Sequence, residues 1–192
     1  MNCKIFVVTI FLVGLTCLGE TLKLPAGWRV PKDSLFSMEW RNSDSLQYLS
    51  TSADLTGDGL RDTVLILEPI DKKGLGLFAF VKDKDSSYKP FNLFDTRIDK
   101  RLQEAVKKRK SQDVLLLYPR YYGVRIVLPG KYVTACGKEI YDCSADDSSE
   151  VATEKIELRY FGIEFFHYDA GGTRYYFWAP EKKCFVYAWI DD

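Results

Sequence analysis

Apolar and polar positions in this chain fall into short runs, most with the two-residue alternation of strands rather than a helical period. Residues 63–68, Thr-Val-Leu-Ile-Leu-Glu, are mostly apolar, and Pro69 ends them. Asp71-Lys72-Lys73-Gly74 reads as a hairpin turn. In 75–81, Leu75, Leu77 and Ala79 alternate with Gly76, Phe78 and Phe80. Residues 82–90 read as a polar turn. Two buried-looking strands, 114–118 and 124–128, flank Pro119-Arg120-Tyr121-Tyr122-Gly123. From Lys155 the pattern is a meander of four strands, 156–160, 163–168, 173–178 and 184–190, separated by Gly- or Pro-bearing turns. Residues 20–50 have no regular period, and Trp28, Leu35, Phe36 and Trp40 are their candidate anchors.

One stretch departs from this. Ile98, Leu102, Ala105 and Val106 share a stripe at helical spacing, and Thr96 with Asp99 makes a capping-box-like start. Lys107, Lys108, Arg109 and Lys110 crowd the last turn, where cations favour the helix dipole. The spacing predicts an amphipathic helix over 96–110, its basic face solvated over a sheet. The expected class is thus α+β and β-rich, with antiparallel sheets, a meander and one main helix.

The N-terminus changes the picture. Lys4 precedes an apolar run of 14 residues, Ile5 to Leu18, and Cys17 and Gly19 stand at the minus-three and minus-one positions of a cut before Glu20. This is a secretory signal peptide pattern, too short for the roughly 20 residues of a membrane span. A lipoprotein signal ending at Cys17 is the alternative, but Gly14-Leu15-Thr16 fits it poorly. The expectation is an exported protein, periplasmic or secreted, with residues 1–19 as signal and 20–192 as one β-rich domain, its possible lobes being 20–130 and 131–192. Residues 1–19 hold Lys4 and no acid, so the rest carries 26 basic and 27 acidic side chains. That balance lacks the basic footprint of a nucleic-acid binder. Cys136, Cys143 and Cys184 remain. An oxidising compartment permits a disulfide, and Cys136 with Cys143 bracket a short polar insert. That pair is the expected bond, with Cys184 free.

The one stretch with explicit site chemistry is Asp54-Leu55-Thr56-Gly57-Asp58-Gly59-Leu60-Arg61-Asp62. Oxygen-bearing side chains occupy its first, third, fifth and ninth positions, a spacing that wraps oxygens round a hard cation. The twelfth position is Leu65, so the bidentate Glu of an EF-hand is missing. Closure by the ninth-position Asp gives a ligand set of Asp54, Thr56, Asp58 and Asp62 side chains with the Leu60 carbonyl, holding a structural Ca2+. The loop resembles the calcium loops of FG-GAP and VCBS-type repeats. It departs from them at Thr56, where an acid or amide is usual, and occurs once, so the resemblance implies the loop and not a propeller. A metal-free Asp/Gly turn before a strand is the other reading.

Twelve aromatic residues lie between Tyr160 and Trp189. Alternation sends Tyr175 and Phe177 to one face and Tyr176 and Trp178 to the other. Tyr175, Tyr176, Trp178, Tyr187 and Trp189 form a candidate partner surface, if one face is left uncovered. No catalytic constellation stands out. His167 is the lone histidine, and no nucleophile elbow or phosphate-binding Gly loop is present.

Residues 131–143, Lys-Tyr-Val-Thr-Ala-Cys-Gly-Lys-Glu-Ile-Tyr-Asp-Cys, resemble uncharacterised bacterial periplasmic proteins, as does the ending after the meander. The resemblance implies export and small size. The expected function is a non-enzymatic binding protein with a protein partner rather than a small molecule. An immunity-type inhibitor of a secreted effector is one such class. The alternatives are a glycan or cell-wall binding module, and a small hydrolase using His167.

Overall fold

The computed structural model describes residues 22–32, 48–71, 73–99, 119–140, 143–145, 147–168 and 170–190. Eleven strands organise them: β1 (Trp28–Arg29), β2 (Ser50–Ala53), β3 (Asp62–Pro69), β4 (Gly76–Lys82), β5 (Tyr88–Asp95), β6 (Tyr122–Val127), β7 (Gly130–Val133), β8 (Lys155–Leu158), β9 (Gly162–His167), β10 (Ala170–Ala179) and β11 (Cys184–Ile190). The first sheet runs β1-β3-β4-β5, with β2 on β3. β2 and β1 share one edge of β3, β2 against Asp62–Leu65 and β1 against Glu68–Pro69. The second sheet is β11-β10-β9-β6, and β7 pairs with β8 separately. All these ladders are antiparallel.

The two larger sheets pack face to face. Leu49, Leu55, Val64, Ile66, Leu77 and Phe94 from the first share one core with Tyr122, Val124, Ile163, Phe165, Tyr176 and Tyr187 from the second. The outer faces are covered as well. On the first sheet Leu65, Leu67, Phe78 and Phe80 lie under Trp28, with Leu22 and Leu24 beside them. On the second, Ala188 and Ile190 lie with Ile156 and Leu158 of β8 and Tyr132 of β7. Burial on both faces is why 64–67 carries no polar position; such a strand reads as a continuous apolar run. The Gly76 hydrogen lets Trp28 lie against β4, since a Cβ there would come within 2.6 Å of the indole. A hydrogen bond from Val124 N–H to the Tyr48 carbonyl, 2.8 Å, ties the sheets at one corner.

The expected class is corrected here. Among the described residues there is no α-helix, only a three-residue 3-10 turn at Pro119–Tyr121, so the protein is β-rich and antiparallel rather than α+β with a main helix. The described start of the expected helix, 96–99, is a turn closing β5. The Thr96 hydroxyl accepts from Leu75 N–H at 3.0 Å and donates to the Leu75 carbonyl at 3.2 Å. It is anchored to the chain entering β4. Residues 100–110, and the expected strand 114–118, lie outside the described residues. β5 occupies what reads as a polar turn at 88–90, because an edge strand tolerates Pro90. β8 pairs with β7 instead of joining the meander, which keeps β9, β10 and β11.

Cys136 and Cys143 are bonded, and Cys184 is free. The bond closes a turn whose base is Ala135 N–H donating to the Trp189 carbonyl at 2.8 Å. A loop this short removes modest entropy from the unfolded chain, about 2.5 kcal/mol. Replacing both cysteines by Ser should lower the denaturant midpoint accordingly, as measured by equilibrium unfolding in guanidinium.

Candidate functional site

Among the described residues, three places carry site chemistry. The first is the loop 54–62, which enters β3. Asp54 is its organiser: Oδ1 accepts from Gly57 N–H at 2.7 Å and Asp58 N–H at 3.1 Å, and Oδ2 from Gly59 N–H at 2.9 Å. Gly57 and Gly59 hold positive φ, 77° and 83°, which few other residues adopt without strain. Asp58 accepts from Leu60 N–H at 2.8 Å. Asp62 is fully buried and accepts from Leu55 and Lys82 N–H groups, each at 2.9 Å. Burial pushes its carboxyl up to about 6 against these two bonds, and the nearby Asp58 and Asp54 push the same way. A carboxyl raised in the fold supports stability fully at low pH, and that support fades as pH rises through about 6.

The donor set fits a hard cation in kind: three carboxylates, a carbonyl, and a Thr56 hydroxyl oxygen that is buried without a hydrogen-bond partner. Carboxylate oxygens that accept one backbone N–H keep a second lone pair for a metal. As arranged, Asp54 and Asp62 face backbone amides, and no three acidic, His or Cys side chains converge as a metal cluster among the described residues.

The second place adjoins the first. The Tyr160 ring lies directly on Gly57, where a Cβ would stand 2.0 Å from it. Tyr160, Phe177 and Trp178 line a groove of about 520 Å³ rimmed by Glu157, Arg159, Glu181 and Lys182. Trp178 is half-buried and edge-on to Phe185 at 5.2 Å and Phe91 at 5.6 Å, so its ring is held in place.

The expected aromatic surface is therefore rearranged. Tyr176 and Tyr187 are core residues at 2% and 7% exposure and cannot present a surface. Alternation faces both toward the first sheet, which covers them. Tyr175 is half-buried against Tyr132 of the β7–β8 pair, and Trp189 is half-buried beside Tyr187. Of the five, Trp178 alone lines the groove. Tyr160 and Phe177 stand outside the expected five, and only the packing on Gly57, invisible in a linear reading, brings Tyr160 there.

The third place is a cavity of about 580 Å³ between the β5 turn, the 147–149 loop and the inner face of β10 and β11. Arg174 sits in its wall. The guanidinium lies 4.4 Å from the Trp189 ring centre, 4.9 Å from Phe94 and 5.3 Å from Tyr187. Its Nη2 donates to Asp99 Oδ2 at 3.3 Å. Burial opposes the charge, but Tyr176, Asp99 and Tyr187 outweigh it, so Arg174 stays protonated. Asp147 accepts from Ser149 N–H at 2.7 Å and from the Tyr187 hydroxyl at 3.1 Å. Burial raises the Asp147 carboxyl, and these bonds bring it below the usual range.

His167 and Cys184 do not form a catalytic pair. His167 pairs with Ala170 at one end of β10, and Cys184 pairs with Ala179 at the other. Nine strand steps separate those ends by about 30 Å. His167 instead stacks on Tyr121 at 5.7 Å and lies edge-on to Tyr122 at 4.8 Å. Comparison with protein-family models, curated proteins and solved structures finds no match to this chain.

Gly57→Ala should destabilise by more than Gly59→Ala. Both strain a positive φ, at about 1 kcal/mol or more, but only Gly57 meets a ring, since a Cβ at Gly59 meets open space. Thermal melting of the two variants, each also combined with Tyr160→Ala, checks this. The difference between the two sites should vanish once the ring is gone.

Proposed function

We propose that this is an exported, non-catalytic binding protein whose calcium-closed loop seats one wall of a groove for a protein partner. The observation that carries the reading is the contact of Gly57 with Tyr160. It makes the order of the loop 54–62 a condition for the shape of the groove. Asp54, Thr56, Asp58, Leu60 and Asp62 would hold the cation, which supplies charge neutralisation and no chemistry. The groove has the anatomy of a small interface centre, aromatic rings inside and charges of both signs at the rim. Its rim of two acids and two bases suits a polypeptide of mixed charge. A secreted effector protein, held by this chain as its immunity-type inhibitor, fits that chemistry. The same rings also favour a glycan, the second reading.

Calcium at millimolar concentration should raise the melting midpoint of the wild type, and chelator should lower it. A hundredfold excess over the dissociation constant corresponds to about 2.7 kcal/mol. Asp58→Ala should lose the response, and magnesium should substitute poorly because it demands a tighter octahedron. An unchanged wild-type midpoint would remove the metal from the reading and leave an Asp/Gly turn.

For the groove, a photo-crosslinking residue in place of Glu181 should give a discrete protein adduct with extract from the producing cells. The same residue at the exposed Ile70 should not. Trp178→Ala should abolish the adduct. Retention on peptidoglycan without any protein adduct would favour the glycan reading.

A further inference from the structure

One edge of β8 is paired and the other borders the aromatic groove. Thr134 N–H donates to the Glu154 carbonyl at 3.0 Å, in register with the Val133–Lys155 and Tyr132–Ile156 pairs of β7 and β8. Bonded and non-bonded pairs alternate along an antiparallel ladder. Ile156 and Leu158 therefore bond to β7, while Lys155 and Glu157 turn their N–H and C=O groups the other way. The Lys155 carbonyl takes the Thr153 hydroxyl at 2.9 Å. Among the described residues no strand pairs with this second edge. A short, charged edge strand is ordinarily a protection against aggregation. What sets this one apart is its position, because Glu157 and Arg159 line the groove.

The floor beside that edge is apolar. Phe177 and Val186 face each other across β10 and β11, and both line the groove. Phe177 belongs to the same apolar cluster as Ile156, Leu158 and Ala188, so the floor lies on the face of the sheet that β7 and β8 cover. A chain laid along β8 would meet a row of backbone groups at its side and apolar side chains beneath. A second copy presenting its own β8 does not fit. It would carry its Ala188 and Ile190 beneath Ile156 and Leu158, into the place of this chain's Phe177 and Val186. A glycan has no repeating row of N–H and C=O groups to match the edge.

Resting on the reading of the groove as a protein site, we infer that the partner enters it as a single extended segment, adding to β8 as a third, antiparallel strand. In such additions the backbone bonds give affinity and alternate side chains give selectivity. β8 offers four residues, about 13 Å of strand. The residues opposite Lys155 and Glu157 share their solvent-facing side, so a Glu suits the first and a Lys the second. The residue between them turns to the floor and is apolar. Read in its own direction, the segment is Lys-apolar-Glu.

The test is fluorescence anisotropy of a labelled synthetic peptide, Thr-Val-Lys-Val-Glu-Val-Thr, with the whole protein in millimolar calcium. Two N-methylated versions are compared with it. Methylating the central Val removes an N–H that points away from β8, and methylating the Glu removes one that points to it. The parent should bind saturably. The Val methyl should change affinity by less than about twofold, and the Glu methyl should weaken it about tenfold or more. Glu157→Pro deletes the outward N–H of β8 without touching a bond to β7, and should weaken the parent peptide to a similar degree. Melting curves report whether that variant is folded, and if it is not, the two methylated peptides decide. No saturable binding, equal effects of the two methyl groups, or unchanged affinity in folded Glu157→Pro would overturn strand addition. So would a dimer in sedimentation that Glu157→Pro dissociates, which would give the edge to a second copy. A discrete protein adduct at position 181 beside any of these results leaves the groove reading standing, and loss of that adduct removes both.

Discussion

Removal of water from both faces of β3 and β4 governs the rest of this structure. Val64 and Ile66 bury toward the second sheet, and Leu65 and Leu67 bury outward under Trp28. Burying a side chain of this size is favourable by about 1.5–3 kcal/mol, so no residue of 64–67 can turn polar without loss. The strand is thereby fixed in register, because a one-residue slip changes which face each side chain meets. Whatever enters or leaves β3 is fixed with it. The loop 54–62 arrives through Asp62, the first residue of β3, whose carboxylate binds the amides of Leu55 and Lys82. One buried acid thus joins the loop to β3 and β4 at once, and the loop in turn supports Tyr160.

The strands with strong apolar content were legible in the sequence, at 63–68, 75–81, 163–168, 173–178 and 184–190, all within a few residues of β3, β4, β9, β10 and β11. What failed to show was of two kinds. Short or polar strands carry too little periodicity: β5 begins Tyr88-Lys89-Pro90 and β7 is Gly130-Lys131-Tyr132-Val133. Long-range pairing is not written locally either. Nothing in 155–158 says that its partner is β7 rather than β9. At the described start of the expected helix, 96–99, pairing at a distance decides as well. Thr96 has the right chemistry for a cap, but the backbone at Leu75, 21 positions away, claims its hydroxyl.

The sites divide in the same way. The Asp/Gly loop is a contiguous pattern, and its turn-forming role could be read from spacing. The disulfide could be read from the short insert between its cysteines. The Arg174 cavity could not. Its guanidinium on β10 meets rings from β5 and β11, and the Asp99 carboxylate from the turn after β5. In a linear reading Arg174 is one more charged residue among aromatics. The twelve rings suggested a sticky face, whereas seven of them fill the space between two sheets, and two of those seven, Tyr187 and Trp189, flank one cation.

The segment after the disulfide has a consequence for association between copies of this chain. Ser149 and Val151 take up the backbone groups of Tyr187, with Tyr187 N–H donating to the Ser149 carbonyl at 2.8 Å and Val151 N–H to the Tyr187 carbonyl at 2.7 Å. β11 ends its sheet, and an open edge strand is a template for intermolecular pairing and fibril growth. This short stretch of the same chain blocks that edge at its middle, while Pro90 breaks the donor row along β5. A proteolytic nick between Cys143 and Ser149 would release the plug on β11 and expose an aromatic strand, turning a folded, dispersed protein into a nucleus for aggregation.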